Sequence, residues 1–120
     1  MKTTLTIADT DEFFKRGKQI AKLADKGKPL PRERIIAFED PKDLARLMTT
    51  AKLVLFREVK SCPGSITDIS QRLHRDRSAV KRDIDELARY GLVKVTEKPF
   101  AGHGRIKEVR VVAQQVLLAI

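Results

Sequence analysis

Residues 65–110 read SITDISQRLHRDRSAVKRDIDELARYGLVKVTEKPFAGHGRIKEVR, and the fold follows from how this stretch is punctuated. Thr67 is a good helix N-cap, and Ile69 and Leu73 mark the buried side of a first short helix. His74, Arg75 and Asp76 form a tight break. Val80, Ile84, Leu87 and Ala88 then recur at helical spacing, which turns one stripe of a second helix toward a core. Arg77, Ser78, Lys81, Arg82 and Arg89 lie off that stripe, in water or against a partner. Asp76 stands where an acceptor satisfies the first free amides of this helix, and Gly91 where a left-handed residue ends it. After Gly91 the pattern alternates. Leu92, Val93 and Val95, then Ile106, Val109 and Val111, flank a loop with Pro99, Gly102 and Gly104, predicting a two-stranded hairpin with Lys98, His103 and Arg105 near its tip.

The runs 65–69, 75–80 and 87–93 resemble the winged helix-turn-helix of MarR-like and ArsR-like transcription regulators. The resemblance extends over roughly Leu44 to Val112. It is nearest to small regulators, some of them antitoxins, that carry a Gly-Arg-Asp or similar run before the recognition helix; here His74 stands in place of the glycine. It implies double-stranded DNA as the partner, with the helix over 77–90 in the major groove and the hairpin over 93–111 on flanking DNA. Arg77, Ser78, Lys81 and Arg82 are then placed at base edges or phosphates. Arg72 and Arg75 are placed at phosphates beside the turn, Ser65 and Thr67 add neutral phosphate contacts, and Lys98, His103 and Arg105 reach the adjacent minor groove or backbone.

Composition agrees with such a partner. The 120 residues carry 25 Lys and Arg against 16 Asp and Glu, a net charge of +9, which favours an anionic surface. The length suits about one domain with a modest core. A single cysteine excludes an internal disulfide and fits a reducing cytoplasm. No export signal is expected after Met1-Lys2, and the apolar runs 53–56 and 116–120 are too short to span a bilayer.

The chain is expected to be α+β, a winged helix-turn-helix over 41–112 preceded by a strand-helix-strand extension over 1–40 and followed by an apolar tail over 113–120. Residues 3–8 alternate Thr with Leu and Ile and read as a strand. Asp9 or Thr10 caps a helix to about Lys26, with Glu12 completing a capping box and Phe13, Gly17, Ile20 and Ala24 as its inner stripe. Residues 28–31 form a linker, and 32–38 a second strand parallel to the first. Asp40-Pro41 starts another helix, and Thr49 or Thr50 starts the one running to about Lys60. Leu53 to Phe56 cannot all face one way, so that helix is expected to be packed on more than one side. From Val111 to Ile120 only Gln114 and Gln115 are polar, and no side chain is charged. Such a tail either packs on the N-terminal helices or meets its copy in a homodimer, the assembly suited to two half-sites.

Other chemistry finds little purchase. Asp85 lies four residues after Lys81 and four before Arg89, and Glu86 four after Arg82, so intrahelical pairs are expected to hold part of the basic face. There is no phosphate loop, nucleophile elbow or paired His and carboxylate, so no enzyme is expected. Cys62, His74 and His103 lack metal-ligand spacing, and neither metal nor cofactor is expected. The expected function is a dimeric DNA-binding repressor; the alternative is an antitoxin whose N-terminal unit neutralises a toxin protein.

Overall fold

The computed structural model describes residues 2–7, 10–27, 33–102 and 104–120. They fall into two compact units, one of residues 1–46 with 115–120, the other of residues 47–114. The expected caps at Asp9 and Glu12 lie outside the described residues and side chains, as does His103.

The first unit is built on β1 (Lys2–Ile7), α1 (Thr10–Asp25) and β2 (Glu33–Phe38), followed by α2 (Pro41–Leu47). β1 and β2 pair in parallel, with Leu5 opposite Ile36, as a strand-helix-strand crossover requires. Asp40 Oδ1 accepts from the Lys42 amide at 2.9 Å and opens α2 beside Pro41. The apolar tail, expected to pack on helices or on a second copy, becomes a third strand. β5 (Gln115–Ala119) lies parallel to β1 on the side away from β2, and Leu5 is also opposite Leu118. β1 is therefore central, and residues on both its faces, Thr3 and Leu5 on one and Thr4 and Thr6 on the other, are buried. The inner stripe predicted for α1 is corrected at two positions, since Gly17 and Ala24 are exposed.

The second unit runs α3 (Thr50–Ser61), α4 (Ile66–Leu73), α5 (Arg77–Arg89), β3 (Val93–Phe100) and β4 (Gly104–Val111). Thr49 caps α3, its hydroxyl accepting from the Lys52 amide at 3.3 Å. Leu55, Val59, Ile69, Val80, Ile84, Leu87, Leu92, Val93 and Val109 are buried, which is the helical stripe and the alternating strand pattern closing on one core. Leu53 and Val54, expected to be covered, remain 45% and 49% exposed. β3 and β4 form the antiparallel wing, with Val95 opposite Val109. Val109 also exchanges hydrogen bonds with Gly64, donating to its carbonyl at 2.8 Å, which ties the wing to the start of α4.

Candidate nucleic-acid interface

The turn between α4 and α5 is set by its side chains. Ser65, not Thr67, caps α4, its hydroxyl accepting from the Asp68 amide at 3.1 Å. The structure thus corrects the cap by two residues and leaves the Thr67 hydroxyl to accept from Arg77 Nε at 3.1 Å. His74 takes a left-handed conformation, φ 53° and ψ 44°, so the sequence carries histidine where glycine would be unstrained. The chain turns there, with the His74 amide on Gln71 O and the Arg75 amide on Ser70 O. Asp76 then caps α5, accepting from the amides of Ser78 and Ala79 at 3.1 and 3.4 Å. Gly91, at φ 71°, ends the helix as its position requires.

The nominated cations fall into distinct environments. Arg72 is paired with Glu58 at 2.8 Å and donates to the Cys62 carbonyl at 2.6 Å, joining α4 to the end of α3. Arg75 is half-buried and holds Asp83 at 2.8 Å, bridging the turn to the middle of α5. Arg77, Ser78, Lys81 and Arg82 are exposed along the outer face of α5. Lys81 is paired with Asp85 at 2.8 Å, as the spacing predicts. Arg82 does not pair with Glu86. Glu86 instead meets Lys52 of α3 at 3.0 Å, and the Lys52 side chain is 9% exposed. A buried ammonium attracts a carboxylate more strongly than a solvated guanidinium does. Arg82 consequently has no ion-pair partner among the described residues, and neither does Arg89 two turns further along.

The wing is partly self-neutralised. Glu108 is buried and bonds both Lys98 and Arg110. The Lys98 bond chiefly holds its carboxyl below the ordinary range, against burial and with help from Arg110. Arg105 pairs with Glu97 at 3.3 Å. Two wing cations that the sequence reading passed over, Lys94 and Lys107, are exposed without ion-pair partners among the described residues. Lys94 stands between Val93 and Val95, so the alternation that marks the strand places it on the other face; Lys107 shares the parity of Val109 and Val111, and alternation does not mark it. Lys52 left no such signal, because nothing local distinguishes a buried lysine in an amphipathic helix.

Among the described residues no group of three or more His, Cys, Asp or Glu side chains converges as a metal site. No helix among them is long and apolar enough to cross a membrane. What the second unit offers is a capped helix, buried on one side and basic on the other, beside a two-stranded wing. That is a winged helix-turn-helix. The HVO_A0114 family model matches residues 47–117, and the chain belongs to that family. No curated protein matches the chain. Among solved structures, the chain is similar to a possible transcriptional regulator from Methanosarcina mazei, at 18% identity over 61% of this chain and 66% of that one, with a TM-score of 0.49. It is also similar to a MarR-like transcriptional regulator from Thermotoga maritima, at 21% identity over 88% and 66%, with a TM-score of 0.47. A third is the transcriptional regulator BldR from Sulfolobus solfataricus, at 20% identity over 88% and 69%, with a TM-score of 0.49. The chain thus spans about two thirds of the length of the regulators it resembles.

Proposed function

We propose that this protein is a sequence-specific DNA-binding transcription regulator, acting as a homodimeric repressor. The observation that carries the reading is the outer face of α5. Arg77, Ser78, Lys81 and Arg82 are exposed along it, Arg82 and Arg89 have no ion-pair partners among the described residues, and the opposite stripe of Val80, Ile84 and Leu87 is buried. A helix of that kind fits a major groove, where arginine reaches guanine with two bonds and lysine neutralises phosphate. The net charge of +9 supplies the attraction that brings DNA to it. In this arrangement Arg72 and Arg75 keep the turn rigid beside the phosphates, Ser65 and Thr67 lie at the start of α4 facing the backbone, and Lys98 and Arg105 serve flanking DNA from the wing. Two copies related by a two-fold axis present two such helices to successive major grooves, and occupation of that site blocks transcription.

The test compares binding of the protein to DNA from upstream of its own gene with binding to random duplex, at two salt concentrations. Selective retention of the upstream fragment at the higher salt is expected. Arg77→Ala should relax preference at one base pair and cost about 1–3 kcal/mol on the preferred site. Loss of all discrimination at the higher salt, or an Arg77→Ala profile identical to wild type, would overturn the reading.

A further inference from the structure

We propose that β5 is the homodimer interface, its outer edge pairing antiparallel with β5 of a second copy across a two-fold axis at Leu117. β5 is the edge strand of a parallel sheet ordered β2-β1-β5, and among the described residues its outward amides and carbonyls have no partner. Unpaired strand edges are ready templates for another strand, and proteins normally guard them with charge or proline. The opposite edge, β2, begins with Glu33 and Arg34 and is followed directly by Glu39 and Asp40. β5 has no such guard: residues 111–120 contain neither a charged residue nor a proline.

The occupant is identified by the pattern of exposure. Val116 and Leu118 share a face with the buried Leu5, yet Leu118 is 56% exposed although it lies opposite Leu5. With Leu117 opposite its own copy, Val116 of each chain falls opposite Leu118 of the other, on the same face. All five residues of the strand are paired, and each exposed leucine is covered by a valine. The strand is therefore self-complementary. Charge favours the same choice, since a chain carrying +9 associates with its copy most readily along an uncharged strip. The other exposed apolar pair, Leu53 and Val54, shares its helical face with Arg57 and Lys60, so two copies meeting there would bring like charges together.

This inference deepens the dimer proposed above, and its test uses no DNA, so it stands or falls apart from operator binding. Sedimentation equilibrium of the full chain should show a dimer. Leu118→Lys, at a position exposed in the single chain, should leave the thermal unfolding of the monomer unchanged and weaken association by roughly a hundredfold, because each dimer would desolvate two ammonium groups. In a Cys62→Ser background, oxidation should join Leu117→Cys chains to each other and leave Leu53→Cys chains unjoined. A monomeric wild-type chain, a dimer indifferent to Leu118→Lys, or cross-linking through Leu53→Cys instead would each overturn the proposal.

Discussion

The outer face of α5 and the tip of the wing are both basic, yet they hold their cations differently. On the wing, Glu108 takes Lys98 and Arg110, and Glu97 takes Arg105. On α5, Glu86, one helical turn on from Arg82, is drawn away to Lys52, Asp83 is held by Arg75 and Asp85 by Lys81, and Arg82 is left facing water. Positive charge counted along a chain therefore overstates what a partner can use. What matters is where the acids go, and a buried lysine on a neighbouring helix decides that for α5. The pairs at the wing tip are exposed on the cation side, and such pairs are individually weak, so the contrast between helix and wing is open to measurement.

The largest expected effect comes from removing the residue that creates the contrast. Lys52→Ala leaves Glu86 without its buried partner and should cost about 1–2 kcal/mol, below the usual range for a buried pair because Glu86 is partly exposed. Glu86 is then one turn from Arg82 and free to neutralise it, so DNA binding should weaken as well. Urea unfolding measures the first effect, and a loss of less than about 0.5 kcal/mol would mean that the pair does not brace α5. Next in size is the direct comparison of helix and wing. Arg82→Ala should lower the slope of log affinity against log salt by about one, and Lys98→Ala by clearly less. Equal losses would show that the wing's ion pairs open on DNA, and the contrast would vanish.

The smallest effect is a pH dependence confined to the wing. The Glu108 carboxyl is held below the ordinary range when folded, so its contribution is fully present above the unfolded value. It is lost as pH falls through the lower, folded value. Measured against the intrinsic exchange rate, which itself slows in acid, the protection of the β3–β4 amides should therefore fall on acidification below the ordinary carboxylate range, and Glu108→Gln should remove part of that dependence. An unchanged exchange profile in Glu108→Gln would show that the Lys98 and Arg110 bonds contribute nothing to the wing.

Sequence alone determined the elements whose causes are local. Asp76 and Gly91 mark helix ends through atoms only a few residues away, and Val80, Ile84 and Leu87 declare a buried stripe by spacing alone. The wing was legible for the same reason, since alternation and a glycine-bearing loop specify a hairpin without distant help. The outer face of α5 could be named from that periodicity, but not which of its cations would be free. That choice depended on Lys52, thirty-four residues before Glu86 in the chain by position, and on the strength of attraction at a buried ammonium. The tail shows the same limit. Residues 116–120 announced themselves as apolar, while the place of 115–119 beside β1 rests on parallel pairing across almost the whole chain. Such pairing leaves no periodic trace, because its partner is chosen by the closing of the sheet and not by any neighbour in sequence.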